Sequence, residues 1–133
     1  MRDNILDRYP NAARWAFGDS SELADELLQL VLSGQKTATC CSYVSYQQEK
    51  VPAVGDYSVI LNGQDEPTCV IRTLSLRLIR YCDVTADLAA KEGEGDKSLA
   101  FWQQGHRAFF TREGTFASDM WLVFEEFELV ETW

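Results

Sequence analysis

Histidine is nearly absent from this 133-residue chain: His106 is the single one. Cysteine is sparse, and Cys40, Cys41, Cys69 and Cys82 form no CxxC pair. A structural zinc site of the Cys/His type therefore has no ligand pattern to build on, and no metal or other cofactor is expected. A chain of this size builds a core without cross-links, so the four thiols are expected to be reduced and mostly buried. No apolar run approaches the roughly 18 residues that a membrane span requires, and Met1–Pro10 contains no signal-peptide core. A cytoplasmic protein without a membrane partner is the expectation. Positive charge is scarce as well. Twelve Lys plus Arg face 21 Asp plus Glu, a net charge of −9. A long nucleic-acid duplex would be repelled by such a surface. A local site for a small or single-stranded ligand is not, because screening confines charge effects to about 8–10 Å.

What is present reads as one α+β domain. Hydrophobic residues make up 46% of the chain, enough for one core, and no linker, repeat or low-complexity segment divides it. Leu23, Leu27, Leu30 and Val31 recur at helical spacing and predict a helix over Ser20–Ser33. Asp19 with Glu22 resembles a capping box, and Gly34 stands where a left-handed cap belongs. Thr37–Tyr46 then reads as a strand, rich in β-branched, aromatic and small residues. Tyr57–Leu61 is a short apolar strand. Thr68–Arg80 is a long or bent one, with Leu74, Leu76 and Leu78 on one face. A short helix opens near Thr85 and ends at Gly93–Gly95. Leu99, Trp102, His106, Phe109 and Phe110 mark a second helix with an aromatic stripe, and Trp121–Glu131 closes the chain as a strand. Helices do not alternate with strands, so a mostly antiparallel closed sheet flanked by helices is expected rather than a parallel doubly wound one.

One stretch differs chemically from the rest. Between Leu27 and Gln48 the only charged residue is Lys36, set among Ser, Thr, Tyr and Gln in an otherwise acidic chain. A lone lysine among neutral hydroxyls and amides suits a cleft of neutral to positive potential that reads a polar ligand. Desolvation there would lower its pKa and free its amine to act as a base. The plainer alternative is a surface lysine after a helix cap, balanced by carboxylates distant in sequence.

Gly34-Gln35-Lys36-Thr37-Ala38-Thr39 resembles the GxKxxT signature of the ASCH (activating signal cointegrator homology) domain family. Ala89-Ala90-Lys91-Glu92-Gly93-Glu94, then Trp102, His106, Phe109 and Phe110, and finally Asp119-Met120, Glu125 and Phe127, are similar to the downstream half of a bacterial single-domain branch. The likeness spans about residues 15–131 of a single 1–133 domain. It implies a small PUA-like β-barrel of mostly antiparallel strands with flanking helices, and a cleft over Lys36. It also implies a role in RNA biology. Some members are ribonucleases, and one small bacterial member removes the acetyl group of N4-acetylcytidine. Matched position by position, that hydrolase's working residues fall on Lys36, Thr39 and Glu92. Many members carry arginine two positions after the threonine, where this chain has Cys41.

Two chemistries follow from this likeness. In the first, RNA or a modified nucleoside is bound and hydrolysed around Lys36 in ribonuclease fashion. In the second, an amidohydrolase uses Thr39 as nucleophile, Lys36 as base and Glu92 to orient the lysine or handle the leaving group's proton. A third reading is a non-catalytic module holding a nucleoside, nucleotide or single-stranded RNA end, with Trp15, Tyr43 and Tyr46 for stacking. Arg72, Arg77 and Arg80 form the only basic cluster. Arg72 is a candidate backbone contact, unless the cluster simply pairs with the acidic surface. His106 reads as a packed, hydrogen-bonded histidine. Glu125 falls in phase with Trp121, Val123, Phe127 and Leu129, which makes it either an interior acid with a basic partner or an acid turned outward by a bulge.

Overall fold

The computed structural model describes residues 5–48 and 52–132; of the Met1–Pro10 stretch, residues 1–4 lie outside it. Five helices and five strands follow in the order α1 (Ile5–Arg8), β1 (Ala13–Trp15), α2 (Ser21–Leu32), β2 (Ala38–Ser42), α3 (Tyr43–Gln48), β3 (Tyr57–Leu61), β4 (Pro67–Arg80), α4 (Ala86–Glu92), α5 (Leu99–Glu113) and β5 (Trp121–Thr132). A 3₁₀ turn at Tyr81–Asp83 precedes α4. Among the described residues no helix is long and apolar enough to cross a membrane.

The strands form one sheet in the order β1-β3-β4-β5-β2. β1 pairs with β3 in parallel, and every other pairing is antiparallel. The α+β reading holds, but the sheet expected to close is a curled half-barrel. β1 and β2 are the two edges of the sheet and do not pair with each other, so a seam stays open between them. Among the described residues two large apolar clusters, and a small one at Val59 and Val70, hold the sheet. Leu27, Leu28 and Val31 of α2 pack with Phe17, Ile60, Ile71 and Phe127. Trp102 and Phe110 of α5 pack with Leu88, Ala89, Leu122 and Phe124. β5 feeds both, because successive side chains leave a strand on opposite faces.

Four local expectations change. The N-cap of α2 is Ser20, whose hydroxyl accepts the Leu23 N–H at 3.1 Å, while Asp19 is taken up by an ion pair with Arg112. The strand expected over Thr37–Tyr46 stops at Ser42, whose hydroxyl accepts the Ser45 N–H and so starts α3. Leu74 and Leu78 are exposed, and β4 slips register against β5 at Thr73/Ser75, beside Leu74. Of the four free thiols only Cys69 is fully buried; Cys40 and Cys41 are half-buried and Cys82 is exposed.

Candidate functional site

The Lys36 segment is fixed by backbone contacts before its side chain acts. The N–H groups of Gln35 and Lys36 both donate to the Leu30 carbonyl near the end of α2. The Thr37 N–H donates to the Lys91 carbonyl in the last turn of α4, at 2.8 Å. Gly93 makes this approach possible. Its φ of 71° is left-handed, and a Cβ there would lie 2.2 Å from the Gln35 carbonyl oxygen. No other residue fits.

Lys36 therefore points inward and is 2% exposed. Its Nζ donates to Glu92 Oε1 at 3.1 Å and to Glu94 Oε2 at 2.9 Å. The other Glu92 oxygen, Oε2, accepts the Trp102 indole N–H at 2.7 Å and faces His106 Nε2 at 3.4 Å. His106 stacks on Trp102, ring centroids 4.2 Å apart, and its Nδ1 lies 2.9 Å from the Trp102 carbonyl oxygen. A carbonyl only accepts, so Nδ1 carries a proton and Nε2 is the position that titrates.

These distances set the protonation states. Burial pushes the Lys36 ammonium down, but the Glu92 and Glu94 carboxylates outweigh it and raise the pKa. Burial would raise Glu92 too, yet Lys36, His106 and the Trp102 N–H hold its carboxyl well below the usual range. His106 is raised, its burial offset chiefly by Glu92. Glu94 is raised, by burial and by Glu92, against the pull of Lys36. The sequence suggested a free amine in a neutral to positive cleft. Instead, Lys36 is an ammonium at rest and its charge is matched by carboxylates.

The cluster lines a cavity of about 320 Å³ whose walls include Phe17 and Leu27 on one side and Phe101 and Phe109 on the other. Thr39 lines the same cavity, although among the described residues it makes no hydrogen bond to Lys36. Thr39 also lines a second cavity of about 350 Å³, in the seam between β1 and β2, with Trp15, Tyr46, Leu76 and Glu125. Tyr43 stacks on Tyr46 at 6.2 Å and lies outside the lining of either cavity. Arg72 is on the outer surface beside Glu128 and Tyr57 and is not brought to the cleft.

Cys40 Sγ, a Glu92 carboxylate oxygen and a His106 ring nitrogen lie within 4.8 Å of one another. Three ligand atoms at that spacing could meet a metal ion. Here Lys36 already supplies the positive charge, and burial together with Glu92 raises the Cys40 thiol well above its ordinary value. The trio as it stands does not fit a divalent cation.

A family model for the ASCH domain matches residues 13–131. The chain belongs to the ASCH domain family. Protein EF3133 from Enterococcus faecalis V583, of family DUF984, superposes with a TM-score of 0.85 at 38% identity, covering 97% of this chain and 85% of that one. An ASCH domain from Lactobacillus crispatus JV V101 gives 0.82 at 36% identity, over 97% and 86%. The hypothetical protein PH0355 shares the fold at a TM-score of 0.62 and 17% identity, over 88% of this chain and 99% of that one. Among curated proteins none matches. The fold of this ASCH domain is accordingly PUA-like.

Sequence reasoning missed three partners of Lys36 and Glu92. Glu94 sits past the Gly93 turn, and only the left-handed bend returns it to the lysine. Trp102 and His106 appeared as core residues; their helical spacing of four was the available signal that both edges meet one partner.

Proposed function

We propose that this ASCH protein binds a modified nucleoside in the Lys36 cleft and hydrolyses an acyl amide on it. The observation that supports this over cleavage of an RNA backbone is the neutralised lysine. Lys36 is clamped by two carboxylates, and Arg112 at the rim pairs with Asp19, so phosphates find no unpaired cation among these residues. A neutral nucleoside meets no such penalty.

The protonation states suggest a division of labour. Thr39 is the nucleophile, its oxygen bonding to the acyl carbon while its proton passes to Glu94, a carboxylate made more basic by burial. The carbon–nitrogen bond breaks, and the leaving nitrogen takes a proton from the Lys36 ammonium. Lys36 regains that proton from Glu94 across their 2.9 Å hydrogen bond. Water then attacks the acyl-threonine, releasing the acid and restoring the hydroxyl. Glu92 holds Lys36 in place throughout. Lys36 is thus the acid of the pair, where the sequence suggested a base, because both carboxylates reach it.

A second reading, a non-catalytic binding module, is favoured by the Tyr43–Tyr46 stack, whose rings are parallel within 18° and half-buried beside the seam. The test is incubation of purified protein with N4-acetylcytidine and, separately, with a short single-stranded RNA, products being resolved by chromatography. The nucleoside should be deacylated and the RNA left intact, with Thr39→Ala lowering turnover on the order of 100-fold. Cleavage of RNA with the nucleoside untouched would replace this reading by a ribonuclease. Binding without turnover of either would leave the module.

A further inference from the structure

The seam cavity contains a carboxyl group that the hydrolytic scheme does not use. Glu125 lies on β5 directly opposite Thr39 of β2 and Leu76 of β4, and it is 8% exposed. It was expected to have a basic partner if it faced inward. It faces inward without one: among the described residues no lysine or arginine forms an ion pair with it, although the exposed Arg14 lines the same cavity. Its one hydrogen bond comes from the Thr73 hydroxyl, which donates to Oε2 at 2.7 Å.

A buried carboxylate with no counter-ion is expensive, so burial raises the Glu125 carboxyl above its ordinary range and favours its protonated form. Oε2 then serves as the carbonyl oxygen, accepting from Thr73 with a lone pair to spare. Oε1 carries the hydrogen and has no protein partner. A protonated carboxyl of this kind presents a donor and an acceptor side by side in one plane. That pattern is complementary to the amide or amidine edge of a pyrimidine, where a ring nitrogen and an exocyclic group offer the opposite pair. The walls suit the rest of such a ring. Trp15 and Tyr46 give aromatic surface, Leu76 and Val123 are aliphatic, and the cavity holds about 350 Å³. The Trp15 indole N–H is itself buried with no protein acceptor.

We propose that the open seam of the half-barrel is a pocket for an uncharged pyrimidine base, with Glu125 as the residue that reads its hydrogen-bonding edge. The pocket shares Thr39 with the Lys36 cavity, so a base seated in the seam places its substituents over the threonine. The inference deepens the nucleoside reading and rests on it for the class of ligand. It assigns base recognition to one cavity and chemistry to the other.

Binding of uridine, cytidine and 3-methyluridine to the wild-type protein by titration calorimetry tests it without any turnover. Failure of deacylation therefore leaves this result untouched, and the reverse also holds. Uridine and cytidine should bind. 3-Methyluridine, whose edge is blocked, should bind at least about tenfold more weakly. Glu125→Gln keeps a donor and an acceptor in place and should stay within about threefold of wild type, whereas Glu125→Leu should lose about tenfold. Leu76→Trp, which fills the pocket beside Glu125, should abolish binding. Equal affinity for uridine and 3-methyluridine would overturn the inference, as would full affinity in Leu76→Trp. Should Glu125→Leu fail to fold, the comparison of the two nucleosides on wild type still decides.

Discussion

Two cavities meet at Thr39, and they handle buried carboxyl groups in opposite ways. In the Lys36 cavity Glu92 is held as an anion by a lysine, an indole N–H and a histidine. In the seam Glu125 has only a threonine hydroxyl, and burial raises its pKa. Burial acts alike on both, so the partners decide. With the Lys36 ammonium 3.1 Å away the Glu92 carboxyl stays charged; with no cation paired to it, Glu125 is shifted toward its neutral, hydrogen-bonding form. Thr39 borders both the electrostatic cluster and the proposed recognition surface.

The contrast breaks most visibly when Lys36 is removed. Lys36→Met leaves Glu92 and Glu94 facing each other in a dry site and should cost about 3–5 kcal/mol at pH 7 by urea unfolding. Adding Glu92→Gln in the same chain should recover part of that loss, and no recovery would mean the pair is not coupled. The pH profile has the same origin. A carboxyl held low in the folded state stabilises above its unfolded pKa, and that stability is lost as pH falls through the folded value. Glu92 should therefore make wild type lose stability progressively once pH drops below about 4.3, with a shallower acid limb in Glu92→Gln. His106, raised in the fold, contributes below about pH 6.5 and loses that contribution as pH rises through its folded value.

Trp102→Phe keeps the ring packing and removes one N–H bond to a charged carboxylate. A loss of about 1.5–3 kcal/mol is expected, read as a lower Tm. Glu125→Gln should act in the opposite direction. Its raised carboxyl favours the fold at low pH and opposes it as pH rises through the folded pKa, so the variant should match wild type near pH 4 and exceed it at pH 8. A destabilised variant at pH 8 would show that Glu125 is ionised and paired after all. Least of all should happen at Arg72. Arg72→Ala removes an exposed side chain 3.9 Å from Glu128, and neither Tm nor nucleoside affinity should move.

The readable parts of this chain are those in which periodicity reports burial. α2, β3, α5 and β5 lie close to where Leu23–Val31, Tyr57–Leu61, Leu99–Phe110 and Trp121–Glu131 put them. β1 was not readable, because three residues carry no period and its parallel partner, paired as Trp15–Ile60, is 45 positions away. α3 was masked by strand-forming residues, and only the Ser42 cap reveals it. The lysine stood out by its neutral surroundings in sequence, and those same surroundings misled: its true neighbours, Glu92 and Glu94, come from 56 and 58 residues away. Linear neutrality is no guide to potential when a turn as tight as Gly93 can import two acids.

That turn also has a kinetic meaning. The Lys36 cluster exists only when the end of α2 meets the end of α4, a closure of more than fifty residues locked by the Thr37 N–H on the Lys91 carbonyl. Loop closure of that length is costly before its contacts form, so the cluster should assemble with the late, cooperative part of folding rather than ahead of it. The Thr37 amide then serves as a built-in clock: its hydrogen exchange should follow global unfolding, and any variant in which it exchanges faster has opened the site without unfolding the domain.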